Sequence, residues 1–291
     1  MENVERYELP QDDERTELRE GVVKALRAVP MHFMSPINIE GLSATDLFAM
    51  NTLLGGAIED QTVATLNAAR AIWDPSGKWL DCEFRRYAES FPDVRLERND
   101  GGQPLIGIEL KGWYLLAKEE MPSFRFRASA NAMTIWDLIA VFPWSLSNVI
   151  SGKPILEPPY IEQAKYAADL RTYYWEHRSA NARPVEHPET HPYPEPGSSY
   201  SDIVHDDRGG NFGRIARVHG LMDEWVSDAM KTPLGGIEAR WWVRFLKLFD
   251  ERGDEEGIRT KFDRLAQAAG HSSEWGDEVV YLVTRLMELD R

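Results

Sequence analysis

The residues best suited to chemistry lie in the stretch FPDVRLERNDGGQPLIGIELKGW, residues 91–113. Asp93 follows a proline, Glu109 lies sixteen positions later, and Lys111 lies two positions after Glu109. Residues two apart on a β-strand project to the same face, so Glu109 and Lys111 are expected side by side. Such a face is either the charged, solvated side of an ordinary hairpin or two carboxylates and an ammonium assembled around a metal ion.

Three features favour the metal interpretation. Pairing of the two strands would bring the Asp93 carboxylate near Glu109. The run LIGIELKGW is apolar on both sides of Glu109, and a charge on a buried strand is costly unless it is paired or binds a metal. Glu59 lies on a partly apolar stripe of a predicted helix. Glu59 is equally explained as a carboxylate at a helix start, where the helix dipole favours a negative charge.

The elements that must position these residues can be predicted from periodicity and turn signals. VRLER, the turn NDGG and PLIGIELKGW predict a β-hairpin. The short apolar run in residues 134–144 predicts a buried strand. Helical spacing or helix-start signals predict helices over residues 14–28, 43–54, 57–73, 127–133 and 158–178.

The second half of the chain has a different character. Residues 182–200 contain five prolines, which predicts an extended arm without regular structure. Helical spacing then predicts four helices, over residues 215–225, 237–248, 258–265 and 279–286. The expected fold class is α/β, a mixed central sheet flanked by helices with a helical C-terminal part. Three divisions are expected. Residues 1–180 form a core with N-terminal helices, residues 181–204 form a proline-rich arm, and residues 205–291 form a helical region for recognition or dimerisation.

Composition narrows the class of protein. The chain has 291 residues, 43% of them hydrophobic, which is enough for a packed core and argues against disorder. The apolar runs are too short for a membrane span, the N-terminus lacks a signal-peptide core, and a single cysteine, Cys82, excludes an internal disulfide. A cytoplasmic protein is expected. The net charge of −15 opposes a nucleic-acid partner, but residues 81–127 hold nine acids and eight bases.

The pattern PD…ELK resembles the motif of the PD-(D/E)xK nuclease superfamily, which includes type II restriction endonucleases. Pro92 and Asp93 match its first part, and Glu109 and Lys111 match its second acid and its lysine. The following DLIAVFPW is similar to the next core strand of that fold. The helix that contains Glu59 is similar to the one that often supplies an extra acid. The resemblance covers roughly residues 50–178.

The resemblance implies a Mg²⁺-dependent endonuclease with a restriction-endonuclease-like core, acting on double-stranded DNA as a homodimer. Asp93 and Glu109 would hold Mg²⁺, with the Leu110 carbonyl and Glu59 as further ligands. Lys111 would orient the attacking water or steady the phosphate. A structural Asp93–Lys111 salt bridge without metal is the alternative. Two other functions stay open, a non-catalytic helical interaction protein and a metal-dependent hydrolase of smaller phosphoesters.

Two further segments contain candidate DNA contacts. Arg125 and Arg127 alternate with aromatic residues in PSFRFR, which suits phosphate or base contacts and equally suits a surface strand. DDRGGNFGRIAR places two glycines before a helix predicted to begin near Phe212, and backbone amides at a helix start can bind phosphate. An ordinary glycine-flanked helix start is the alternative. The side chains there that could read a groove are Arg208, Asn211, Arg214 and Arg217.

Overall fold

The computed structural model describes residues 4–40, 50–87, 90–179, 182–207 and 209–247, together with the isolated positions 260, 264 and 267. Within these residues the fold is mixed α/β, with one curled, mixed sheet and helices packed against it. None of the described helices has the length and apolar character needed to cross a membrane.

The sheet is built around one fully buried strand. Its six strands are β1 Cys82–Arg86, β2 Val94–Arg98, β3 Ile106–Tyr114, β4 Leu138–Leu146, β5 Pro154–Leu156 and β6 Tyr160–Gln163. β1, β2 and β3 form an antiparallel meander, and β4 runs parallel to β3. β5 and β6 pair antiparallel with opposite ends of β4. A separate hairpin joins β7 Pro233–Leu234 to β8 Ile237–Glu238.

Helices cover the sheet and close the core. The described α-helices are α1 Glu14–His32, α2 Met50–Ala68, α3 Arg70–Trp73, α4 Ala164–His177, α5 Asp223–Ala229 and α6 Ala239–Leu246. α2 packs on β3 and β1, α1 packs on α2 and α3, and α4 packs on β4 and β6. Short 3₁₀ turns lie at Ala130–Ala132 and Ile215–Arg217.

The predicted hairpin and buried strand are confirmed. β2 and β3 pair across the NDGG turn, and all nine residues of β4 are buried. The apolar face of β3 is buried as expected, because Ile106, Ile108 and Leu110 are at most 2% exposed. The helix over residues 14–28 also forms and continues to His32. Residues 182–200 contain no helix or strand, which confirms the irregular arm.

Several predicted elements in the first 180 residues were wrong in type or extent. Residues 160–163, predicted as helix, form β6, because pairing with the exposed edge of β4 outweighs local helical spacing. Residues 50–68 run as one helix where two were predicted, and residues 43–49 lie outside the described residues. The segment 127–133 forms only a 3₁₀ turn. Strand β1 was not predicted.

The C-terminal helices are shorter than the periodicity suggests. Residues 215–225, predicted as one helix, form a 3₁₀ turn and then the separate helix α5. Gly220 lies between them with φ of 80°, a left-handed conformation that interrupts a right-handed helix. The helix predicted over 237–248 begins as strand β8, and α6 follows it. The helices predicted over 258–265 and 279–286 lie outside the described continuous ranges.

Candidate metal-dependent active site

Strands β2 and β3 place two carboxylates next to each other. Val94 pairs with Ile108, so Asp93 lies directly opposite Glu109 at the next position of the antiparallel register. The backbone N–H of Asp93 donates to Glu109 Oε2 at 3.3 Å, and the N–H of Leu110 donates to Asp93 Oδ2 at 3.1 Å. Asp93 and Glu109 therefore lie close together, as the sequence predicted, although the strand pairing itself ends at Val94.

The Asp93 carboxylate replaces a backbone carbonyl of β2 as the hydrogen-bond acceptor for the Leu110 N–H. The β2 ladder with β3 ends at Val94, and the Leu110 N–H, which faces that side of β3, is satisfied by the Asp93 side chain. In an extended strand the N–H and C=O of one residue face the same neighbour. The Leu110 carbonyl therefore faces the side on which Asp93 lies. Asp93, Glu109 and this carbonyl are the hard oxygen donors near the end of the β2–β3 ladder.

Burial and mutual repulsion strongly perturb this pair. Burial raises the pKa of Asp93 from 3.8 to about 7, and the negative charge of Glu59 adds to the increase. Burial, followed by the charge of Asp93, raises the pKa of Glu109 well above its ordinary value. Two carboxylates this close in a desolvated place disfavour joint ionisation. Such shifts are typical of sites where a proton or a cation is expected to reside.

Lys111 shares the face of Glu109 without forming a bridge to either acid. Its positive charge lowers the pKa of both Asp93 and Glu109. In the described part of the chain it makes no direct ion pair with either carboxylate. The surroundings of the pair therefore do not match the structural Asp93–Lys111 salt bridge that was the alternative from sequence.

Glu59 lies near the pair but is held by a cation of its own. It is on α2, and the Arg86 guanidinium donates to Glu59 Oε2 at 3.2 Å and forms an ion pair with Asp60 at 3.1 Å. The Glu59 side chain is only 13% exposed. Its charge raises the pKa of both Asp93 and Glu109. Arg86, at the end of β1, was not singled out from sequence, because only the fold brings it to α2.

The donor set suits one kind of ion. Among the described residues, no three Asp, Glu, His or Cys side chains are grouped closely enough to form a complete protein cage for a metal. Mg²⁺ does not need such a cage, because it is usually held by one or two carboxylates with water and substrate phosphate completing its shell. Asp93, Glu109 and the Leu110 carbonyl fit that requirement, and nitrogen or sulfur ligands that would favour zinc are not among them.

The candidate DNA-contacting residues form a second cluster. Arg125 pairs with Arg214 in an isolated antiparallel bridge, and the Arg125 guanidinium donates to the Gly210 carbonyl. Arg214 pairs with Glu119 at 3.2 Å, and Arg217 donates to Asn211 at 2.7 Å.

This cluster connects to the carboxylate site through aromatic residues. The ring of Phe126, between Arg125 and Arg127, lies 6.1 Å from that of Phe91, two residues before Asp93. Arg127 contacts a different segment from Arg125, since its guanidinium donates to the Asp202 carbonyl at 3.4 Å. Arg208 lies outside the described residues. The expected helix start near Phe212 does not form, because a 3₁₀ turn begins only at Ile215.

Comparisons with known proteins do not bear on these assignments. No protein-family model matches the sequence, and no curated protein matches it at a significant level.

Proposed function

We propose that this protein is a Mg²⁺-dependent endonuclease that hydrolyses phosphodiester bonds in double-stranded DNA. The observation that carries the proposal is the Asp93–Glu109 pair, two partly buried carboxylates held close together, each with a raised pKa, with Lys111 on the same face as Glu109. A protein gains no stability from such a pair while it is empty. A cation between the carboxylates removes the repulsion, and the neighbouring ammonium suits an anionic substrate.

Each residue of the site would have its own role in phosphodiester hydrolysis. Asp93, Glu109 and the Leu110 carbonyl would hold Mg²⁺, which when bound activates water and neutralises charge on the phosphate. Lys111 is free of a direct bridge to the acids in the described chain, so its ammonium can hold a water or a phosphate oxygen by hydrogen bonds. Arg86 holds Glu59 beside the pair, where the negative charge of Glu59 strengthens the attraction for a cation.

Recognition of the DNA is assigned to the arginine cluster. Arg125 is exposed, and Arg214 and Arg217 lie on the adjacent segment. Their guanidinium groups supply the positive charge that phosphate binding requires and that the whole chain lacks. Cutting both strands of a duplex calls for two such sites, so the proposal includes a restriction-endonuclease-like core that acts as a symmetric dimer.

A supercoiled-plasmid assay tests the proposal. The wild-type protein should nick and then linearise the plasmid in Mg²⁺ and should leave it intact in EDTA. Asp93→Asn should abolish cutting, whereas Asp100→Asn, a matched change at an exposed position of the same hairpin turn, should cut like the wild type.

Three outcomes contradict the proposal. An intact plasmid with the wild-type protein in both Mg²⁺ and Mn²⁺ would favour a non-catalytic interaction protein. Hydrolysis of a small phosphodiester without any cutting of DNA would favour a hydrolase of smaller esters. Cutting by Asp93→Asn at the wild-type rate would move the active site elsewhere.

A further inference from the structure

The proline-rich arm predicted as residues 181–204, which the structure describes from residue 182 onward, passes over the face of β3 that bears Glu109. Gly107, Glu109 and Lys111 alternate along β3 and so project from one face. A Cβ at Gly107 would lie 3.0 Å from the Tyr193 ring and 2.5 Å from Pro92. Tyr193 of the arm is therefore packed on this face, one alternating position away from Glu109.

The arm is tied down at the position of Tyr193. Its hydroxyl donates to Asp137 Oδ1 at 2.6 Å, and its N–H donates to the Ala132 carbonyl at 3.1 Å. The Asp137 carboxylate also accepts from the N–H of Gly107 at 2.6 Å and that of Thr134 at 2.7 Å. One buried carboxylate thus joins the arm to β3 and to the segment before β4, which fixes where the arm begins to cross the site.

A second anchor holds the arm where it leaves the site. Arg171 of α4 is 2% exposed, and it pairs with the buried Asp202 of the arm. The same guanidinium donates to the carbonyls of Phe126 and Ala128 at 2.7 and 3.1 Å. Breaking a buried ion pair leaves an uncompensated charge and is costly, so these contacts hold the arm near residue 202 in place.

Tyr200 lies between these anchors in the sequence and packs against the segment that leads into Asp93. Its carbonyl accepts from the N–H of Ser129 at 2.8 Å, which fixes its backbone. Its ring lies 5.6 Å from the ring of Phe91, two residues before Asp93. The Phe91 ring is 2% exposed, whereas Tyr200 is only partly buried. Tyr200 therefore forms part of the rim of the site, with its ring backed by Phe91.

We propose that Tyr200 positions the DNA strand at the Asp93–Glu109 pair by donating a hydrogen bond from its hydroxyl to a phosphate oxygen, an inference that rests on the proposed function. A rigidly held tyrosine at the rim of a phosphate site is a suitable donor, because hydrogen bonds to phosphate fix the register of a strand without reading its sequence. Anchoring at both sides prepares the hydroxyl before DNA binds, which lowers the ordering cost of binding.

The electrostatics of Tyr200 agree with this placement. Burial raises the pKa of Tyr200, and the charges of Glu109 and Asp93 raise it further. Both effects raise the pKa of Tyr200 and so favour the protonated hydroxyl, which can act as a donor.

Tyr200→Phe tests the inference, because it removes the hydroxyl and keeps the ring on Phe91. DNA duplex binding is measured in Ca²⁺ in place of Mg²⁺, so that binding is separated from cutting. The affinity should weaken about ten- to hundred-fold, the size expected for a lost hydrogen bond to a charged group. Cleavage in Mg²⁺ should fall by at least as much, while thermal unfolding stays unchanged. The matched control is Tyr173→Phe on α4, a half-buried tyrosine stacked on His177, and it should bind and cut like the wild type.

The possible results separate failure of the inference from failure of the proposed function. Wild-type binding and cutting by Tyr200→Phe, with cutting abolished in Asp93→Asn, would overturn only the role of Tyr200. A lower unfolding temperature with unchanged binding per folded molecule would make Tyr200 structural and would overturn it too. Absence of Mg²⁺-dependent cutting by the wild type would overturn the proposed function and this inference with it.

Discussion

Asp93→Asn should stabilise the metal-free protein at alkaline pH. The native pKa of Asp93 is raised from 3.8 to about 7, about 3 units, and each unit corresponds to about 1.36 kcal/mol. Above pH 7 the folded protein must ionise a carboxylate that resists ionisation, while the unfolded chain ionises freely. The carboxylate therefore lowers the free energy of unfolding by up to about 4 kcal/mol. Asparagine keeps the shape and an acceptor for the Leu110 N–H, so we expect about 2–4 kcal/mol of that to be recovered.

The pH dependence gives the prediction its sign. Between the unfolded and folded pKa values of Asp93, the native state holds a proton that the unfolded state has lost, so wild-type stability should fall as pH rises from about 4 to about 7. At pH 4.5 the advantage of Asp93→Asn should shrink to about 1 kcal/mol, since the folded wild type keeps the proton and this pH lies less than one unit above the unfolded pKa of 3.8. The contribution of Asp93 to this pH dependence should level off above about pH 8.

Urea unfolding in EDTA at pH 4.5 and pH 8, followed by fluorescence of the ten tryptophans, measures this effect through the midpoint and the slope. Asp100→Asn in the exposed hairpin turn is the matched control and should shift neither midpoint. Addition of Mg²⁺ at pH 8 should stabilise the wild type, because a ligand that binds only the native state adds to its stability, and should leave Asp93→Asn unchanged. An Asp93→Asn protein that is less stable than the wild type at both pH values would contradict the destabilising role of the Asp93 charge and would favour a structural Asp93–Lys111 salt bridge.

Three further predictions concern the neighbouring charges. Glu109→Ala should abolish cutting yet leave duplex binding in EDTA intact or tighter, because it removes a charge that repels phosphate. Lys111→Ala should abolish cutting and weaken binding, because it removes a charge that attracts phosphate. Equal shifts in affinity would contradict the assigned roles. Glu59→Gln should raise the Mg²⁺ concentration needed for half-maximal cutting by several-fold without loss of fold, and an unchanged metal titration would leave Glu59 only as the partner of Arg86. Arg125→Ala should weaken duplex binding and lower the slope of log affinity against log salt by about one unit, and an unchanged slope would make Arg125 a surface residue bound to Gly210.

The hairpin that carries the site could be predicted because its signals are local. The NDGG turn and the alternation on β3 fixed the register, and that register alone placed Asp93 opposite Glu109. Strand β4 was recognisable because a strand buried on both faces is a short continuous apolar run. These inferences needed no knowledge of distant residues.

The rest of the site depends on contacts between segments far apart in the chain. Tyr200 and Glu109 are 91 positions apart, and nothing in the spacing of the arm indicates which tyrosine approaches the acids. In the same way, the sequence does not indicate that Arg86 binds Glu59, because this contact forms only when α2 packs beside β1. Strand β6 was misassigned for the same reason, since its pairing with β4 is a property of the fold and its own sequence has helical spacing.

The electrostatics of the pair also bear on how an acidic chain could accept DNA. Because the pKa of Asp93 is raised to about 7 and that of Glu109 lies above its ordinary value, a proton on the metal-free pair is favoured over full ionisation of both carboxylates. A divalent ion would displace that proton and bring more positive charge than the proton did, so metal affinity and pH are linked. The net charge of −15 is screened within about 8 Å at physiological salt. Under the proposed function, the field that a phosphate meets at close range would be set by the metal, Lys111 and the arginine cluster, so the overall acidity of the chain is compatible with that proposal.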